Sequence, residues 1–256
     1  MTALIEVVRL CKSFGTHSVL KNISFEVMDG EGFAIIGPNG AGKTTLFKIL
    51  TGEIFATDGA IRYQGEDIMG VAAHSRVHGG FGRTFQVSRV LPEFTVLDNV
   101  IVAIEARMRG QGLPLGKWYQ WRPSKAVIEE AYYRLVDMGL VDRRFVEARH
   151  LSHGDKKSLE LAVALALEPR VLMLDEPTAG MSPTERRRTV ELISRIRAEH
   201  GITVMLTEHD MDVVFGLADR LLVMNYGEVI VTGPPEEVRR NPTVGEIYLG
   251  KEMAHA

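Results

Sequence analysis

The spacing of apolar residues changes along this chain, and the changes predict its elements. Ile5 to Leu10, and then Ile23, Phe25 and Val27, alternate with polar residues in the two-residue period of antiparallel strands, so the chain should open with a small β layer. Gly32-Phe-Ala-Ile-Ile36 is instead a short unbroken apolar run, as suits a parallel strand covered on both faces. The runs Val171-Leu-Met-Leu174 and Ile202-Thr-Val-Met-Leu206 have the same character. Helical spacing predicts helices from near Lys43, from about Ser158 to Glu168 and from about Pro183 to His200. Asp58-Gly59 and Gln64-Gly65 are turn signals around Ala60-Ile-Arg-Tyr63, and Asn225-Tyr-Gly-Glu228 separates two more apolar runs; each pattern predicts a hairpin. From about Val71 to His150 the pattern is irregular and then helical, broken by Gly110, Gly112, Pro114 and Gly116, which predicts an inserted helical subdomain. The expected fold class is α/β, a mainly parallel sheet flanked by helices, with an N-terminal antiparallel β layer and the helical insert. A single domain is expected over 1–256, with 1–86 and 151–256 as catalytic core and about 87–150 as helical subdomain.

Two motifs give this frame its chemistry. Gly37 to Thr44 read GPNGAGKT, the spacing of a phosphate-binding P-loop, and they lie between a buried strand and a helix, the context such a loop needs. The core is therefore expected to be of the P-loop NTPase type, with Gly37, Asn39, Gly40, Ala41, Gly42, Lys43, Thr44 and Thr45 holding the nucleotide. Gly37, Gly40 and Gly42 let backbone N–H groups aim at phosphate oxygens, and the helix start adds the positive end of its dipole. Lys43 should reach the terminal phosphates, and Thr44 should ligate magnesium. In the second motif, Asp175 and Glu176 follow an apolar run and so emerge at the carboxyl end of a strand, where parallel sheets place ligands. Asp175 suits the oxygen shell of a hard cation, and Glu176 suits polarising a water for attack on a terminal phosphate. The plainer reading, a strand end capped by solvated acids, weakens beside the phosphate loop.

Composition narrows the classes. With 256 residues, 45% hydrophobic and 25% charged, the chain can bury a sizeable core. A net charge of -3 gives no electrostatic case for nucleic acid. The apolar stretches fall short of a bilayer span, as where Glu160 and Glu168 bracket Leu161 to Leu167, so any membrane role is expected to run through partners. The start meets an acid at Glu6 and does not read as a signal peptide, and the lone Cys11 excludes an internal disulfide framework; the cytosol is the expected compartment.

The motifs also stand in a definite order. After GPNGAGKT come Arg83-Thr-Phe-Gln86, Leu151-Ser-His-Gly-Asp155, Val171-Leu-Met-Leu-Asp-Glu-Pro177, Thr178-Ala-Gly-Met181 and Thr207-Glu-His209. In that order they resemble the nucleotide-binding subunit of ATP-binding cassette (ABC) transporters, and the resemblance covers nearly every residue. It implies ATP and Mg2+ as ligands and ATP hydrolysis as the activity. It implies that Gln86 sits at the seam of core and insert, touching magnesium or the attacking water, and that His209 contacts the terminal phosphate and positions that water. It places Phe14 where an aromatic stacks on adenine, with a core phenylalanine as the rival reading. Leu151 to Asp155 stands in place of the family's signature. Physics alone reads Ser152 and Asp155 as a helix-start capping pair, although Glu or Gln suits the third position better. The resemblance implies that Ser152 and Gly154 face the terminal phosphate of ATP held by an opposite subunit. The sequence departs from the family at Asp155, where glutamine is usual, and at His153, where glycine or tyrosine is common. A carboxylate there should repel phosphate, with Lys156 and Lys157 as offsetting charges, so the expectation is hydrolysis retained but slower.

A composite site of this kind implies two cassettes head to tail, as a homodimer or with a sister cassette. They are expected at the cytoplasmic face of the membrane, beside integral-membrane permeases and with an external solute-binding protein in the same system. The tail Asn241 to Gly250, the run Thr95 to Val100, Ala179-Gly-Met181 and the long insert resemble the branched-chain amino acid importers, a group that includes urea and short-amide relatives. A lipopolysaccharide-exporting relative shares the tail but usually lacks so long an insert. The alternative is a regulatory cassette that hydrolyses weakly beside a more active sister, and it rests on Asp155 and His153. A soluble DNA-repair or translation cassette is disfavoured: the chain has no coiled-coil insertion, no second cassette and no basic excess. His74 and His78 have the spacing of a metal pair but no third ligand nearby, and Arg186-Arg-Arg188 reads as an exposed helix face. Trp118, Tyr119 and Trp121 read either as packing of the insert or as an aromatic contact to a partner.

Overall fold

The computed structural model describes residues 3–83, 90–110, 112 and 123–252, so Gln86, Trp118, Tyr119 and Trp121 lie outside the described residues. The alternating segments form β1 (Ala3–Phe14) and β2 (His17–Met28), antiparallel with Val7 opposite Phe25 and Leu10 opposite Ile23. β3 (Gly32–Ile36) runs into α1 (Lys43–Leu50). β4 (Asp58–Tyr63) and β5 (Glu66–Asp67) then close a hairpin through Gln64 and Gly65, whose φ values of 53° and 84° suit a tight turn between twisted strands. These strands make a sheet in the order β2-β1-β4-β5.

The Asp58-Gly59 pair, expected as a turn, lies inside β4 instead. There β1 carries an extra residue, with Arg9 at φ 45°, and the register shifts between Val8 and Cys11. Gly59 faces this bulge so closely that a Cβ would sit 2.6 Å from the carbonyl oxygen of Arg9. The same residue pair serves a turn or a bulge, because both require left-handed backbone.

The chain continues through α2 (Ala73–His78), β6 (Phe81–Arg83), α3 (Val96–Gly110), α4 (Lys125–Asp137), α5 (His153–Ala166) and β7 (Val171–Asp175). There follow α6 (Pro183–His200), β8 (Thr203–Thr207), α7 (Met211–Leu217), β9 (Arg220–Asn225), β10 (Glu228–Gly233), α8 (Pro235–Arg239) and α9 (Pro242–Glu252). The second sheet has the order β10-β9-β3-β8-β7-β6; it is parallel except for β10, which turns back on β9 through Tyr226 and Gly227.

Both faces of this sheet are covered, which explains the unbroken apolar runs. Phe33, Ile35, Met173, Met205 and Leu222 face α1 and the antiparallel layer. Their neighbours Ala34, Ile36, Leu172, Leu174, Leu206 and Leu221 face the helices. In that same helical cluster Val100 and Ile104 of α3, Val127 and Leu135 of α4, and Leu159 and Ala162 of α5 pack together. α5 begins at His153 rather than near Ser158, because its first turn is polar and its start is set by a cap instead of by apolar spacing. Among the described residues no helix is long and apolar enough to cross a membrane, and no group of three His, Cys, Asp or Glu side chains could hold a metal ion. His74 is exposed on α2.

Candidate functional site

The carboxyl end of β3 delivers the glycine loop. At Gly37, φ is 151°, and a Cβ would lie 2.2 Å from the carbonyl oxygen of Met224, so only glycine lets the loop leave β3 beside β9. The loop is braced from within and from the side. The Ala41 N–H donates to the Pro38 carbonyl (3.1 Å), and the Gly227 N–H, from the β9–β10 turn, donates to the Ala41 carbonyl (3.1 Å). Lys43 reaches back along the loop, and its Nζ donates to the carbonyls of Gly37 (2.7 Å) and Pro38 (3.1 Å). Gly42 caps α1 in the left-handed conformation with no side-chain acceptor. The amides of the first helical turn thus face outward, where an anion can satisfy them. Asn39, Gly40 and Thr44 are exposed at the same end, Thr45 is half-buried and Ala41 is buried.

Parallel register brings the carboxylates alongside. Ile35 and Asp175 both pair with Thr207, so β8 runs between the loop strand and the acid-bearing strand. Asp175 is buried, and one of its oxygens accepts the Thr207 hydroxyl at 2.6 Å. Glu176 leaves the strand at φ 47°, an unfavourable conformation for a residue with a side chain, and its N–H donates to the Thr207 carbonyl at 3.0 Å. Strain of this kind, of order 1–3 kcal/mol, is kept where it aims a functional group. Two residues beyond β8, His209 stands with its side chain 68% exposed. Between Thr207 and His209 lies a residue that the motif reading passed over. The Glu208 side chain is fully buried and accepts bonds from the Thr178 hydroxyl (2.6 Å), the Thr178 N–H (3.1 Å) and the His209 N–H (3.1 Å). Only the third dimension pairs residues 178 and 208, so no local pattern signals the contact.

Ser152 and Gly154 lie elsewhere. They line a hollow of about 630 Å³ with Asp137, Asp155, Glu185 and Arg188, and no loop residue from 37 to 45 borders it. Ser152 caps α5, accepting the Asp155 N–H at 3.2 Å, as the capping reading expects. The Asp155 carboxylate is too short to return to the Ser152 amide and takes the Ser152 hydroxyl instead (2.7 Å). The contrast is within the chain: at the start of α6, Glu185 accepts both the Ser182 N–H (2.9 Å) and its hydroxyl (2.7 Å), a complete capping box. Those bonds hold the Glu185 carboxyl below its usual range. The same Asp155 oxygen also accepts from Arg143, which forms an ion pair with it. Lys157, expected to offset that charge, is instead buried and paired with Glu160 at 3.3 Å, because the helix turns it inward. Arg186, expected on an exposed face, is half-buried and paired with Asp210, while Arg187 and Arg188 are exposed. Phe14 ends β1 half-exposed, not in the core, with the Lys12 ammonium 4.7 Å above its ring.

Residues 20–179 match the ABC transporter family model, and residues 228–254 match a second one, described as a branched-chain amino acid ATP-binding cassette transporter. The chain belongs to the ABC transporter family. The cassette is 38% identical over 251 residues to the high-affinity branched-chain amino acid transport ATP-binding protein LivG of Salmonella typhimurium, covering 97% of this chain and 98% of that one. It is 38% identical over 250 residues to BraF of Pseudomonas aeruginosa, of the same description, covering 97% and 98%. Among solved structures, the ADP conformation of an ATP-binding cassette of an ABC transporter superposes with a TM-score of 0.84 at 31% identity, covering 98% of this chain and 100% of that one.

Proposed function

We propose that this cassette hydrolyses ATP as the motor subunit of a branched-chain amino acid importer, with urea and short amides as the related solutes. One observation carries the hydrolytic reading: β8 sets His209 between the lysine-bearing loop that leaves β3 and the acids that leave β7. Phosphates would take the place of the Gly37 and Pro38 carbonyls as partners of Lys43 and would bind the amides from Gly40 to Thr45. Phe14, exposed at the end of β1, offers its face to adenine. Asp175, held by Thr207, and Thr44, exposed at the start of α1, would supply oxygen donors of the kind magnesium takes, and Gln86, outside the described residues, would add a further one. Magnesium bound there would neutralise charge developing on the terminal phosphate. Glu176 would draw a proton from water, and His209 would hold that water in line.

Ser152 and Gly154 border a different hollow, so the reading needs a second cassette, a copy of this chain or a sister, whose ATP they would face. ATP-driven closure of the pair at the cytoplasmic face of the membrane would move the helical insert, about 87–150, and through it the permeases; an external binding protein would deliver the solute. The tail match and the LivG and BraF likeness support the importer type. The Glu176→Gln variant should lower turnover by about two to four orders of magnitude while ATP binding persists, and it should accumulate an ATP-dependent dimer on size exclusion. Turnover within a factor of two of the parent would refute Glu176 as the base, and a variant monomeric at saturating ATP would refute self-pairing.

A further inference from the structure

The buried Glu208 has no role in the chemistry above, yet it is built into the molecule more firmly than His209 beside it. Its side chain is fully buried and its two oxygens are divided between two segments: Oε1 takes the hydroxyl and N–H of Thr178, and Oε2 takes the His209 N–H. A carboxylate withdrawn from water must find donors, and three suffice to hold it in one orientation. The other side of His209 is tied to the same region. Asp210 caps α7 through the N–H groups of Asp212 (3.0 Å) and Val213 (3.4 Å), and its second oxygen takes Arg186 of α6. His209 therefore sits between two acids that are each anchored to residues 178–186, while its own ring is mostly exposed, with Nδ1 3.8 Å from Oε2 of Glu208.

We infer that Glu208 is a positioning residue, locked by Thr178, that sets the direction in which His209 presents its imidazole to the nucleotide. This rests on the proposed part of His209 in hydrolysis. The chemistry of the pair is asymmetric in a useful way. Glutamine at 208 can still accept from Thr178 through its carbonyl oxygen, but its amide would turn N–H donors toward the His209 N–H and break that end alone. Valine at 178 removes the hydroxyl and keeps the shape, whereas serine keeps the hydroxyl.

In steady-state ATPase assays of the full chain, Glu208→Gln should lower kcat about tenfold with KM within about twofold, as expected when a reacting group is misdirected rather than removed. Thr178→Val should show a smaller loss in the same direction, and Thr178→Ser should restore the parent value. In a His209→Ala background, Glu208→Gln should have no further effect, because residues acting as a unit are non-additive. A direct readout accompanies the kinetics: the imidazole NMR signal of His209, assigned by its loss in His209→Ala, should shift in Glu208→Gln and Thr178→Val and return in Thr178→Ser. An equal loss of kcat with and without His209, or an unmoved His209 signal, would overturn the inference. If His209→Ala itself left turnover unchanged, the fault would lie with the proposed part of His209, and the NMR shift would still decide whether Glu208 orients the ring.

Discussion

Arg143 and Asp155 form an ion pair on the surface proposed to face the partner's nucleotide, and it changes the electrostatic argument at that position. An uncovered carboxylate beside a triphosphate would repel it, but here the charge is met by a guanidinium from the segment after α4 and by the Ser152 hydroxyl. The ground for a weakly hydrolysing cassette is thereby reduced to His153. The consequence is specific to a single residue: Arg143→Ala should uncover the charge and lower ATPase turnover by about three- to fivefold, the scale of a half-exposed pair. Salt should shrink the loss, since screening acts on exposed charge. Adding Asp155→Gln should restore turnover in the Arg143→Ala protein. Steady-state ATPase at low and high salt checks all three. An unchanged Arg143→Ala would mean that the Asp155 carboxylate never meets phosphate.

At the scale of elements, the short helix α2 is held by a contact that no motif suggested. Arg76 is 3% exposed and has no carboxylate partner among the described residues; Nε donates to the Val71 carbonyl (2.9 Å), Nη2 to Ile68 (2.6 Å), and Nη1 to Ile49 (2.8 Å) and Leu50 (2.7 Å). Burial pulls its pKa down to about 10, which still leaves it charged at neutral pH. Ile49 and Leu50 end α1, so the cation sits at the negative end of the dipole whose positive end opens on the phosphate loop. Arg76→Met should cost about 3 kcal/mol in urea unfolding, because buried carbonyls lose charged donors, while the KM for ATP stays within about twofold. Among elements, those fixed by local chemistry were legible: the loop glycines, the Gln64-Gly65 and Tyr226-Gly227 turns, and α6 from Pro183 to His200. Asp58-Gly59 was misread because a bulge asks for the same residues as a turn. Arg76, Arg143 and Glu208 were invisible for another reason: they meet Val71, Asp155 and Thr178, which lie 5, 12 and 30 residues away in sequence and are chosen by packing.

For the whole molecule, the two ends of the parallel sheet divide the labour. The carboxyl ends of β3, β7 and β8 carry the acids, the loop and His209, whereas the turn from β2 into β3, which joins the two sheets, carries structural charge. There Asp29 meets Arg170 before β7 (2.6 Å), and Glu31 meets Arg220 at the start of β9 (3.2 Å). The hydrogen bond from Arg170 holds the Asp29 carboxyl below its ordinary 3.8, so its stabilisation is present above that value and is lost as pH falls through the lowered one. Glu31 has the opposite sign. Burial raises its carboxyl above 4.5, so the folded state binds the proton more readily than the unfolded chain, and the stability linked to it is lost as pH rises through the raised value. Urea midpoints measured from pH 3 to 7 should separate the two. Arg170→Met should lose under about 1 kcal/mol at pH 7, as expected for a half-exposed pair, and the deficit should vanish toward pH 3. The difference between Glu31→Gln and the parent should move in favour of glutamine as pH rises from 4 to 7. Neither substitution touches the end proposed for catalysis, so both proteins should keep the parent's pH dependence of ATP turnover wherever they stay folded. If the turnover profile moved together with stability, the separation of the chemical end of the sheet from its structural seam would be wrong.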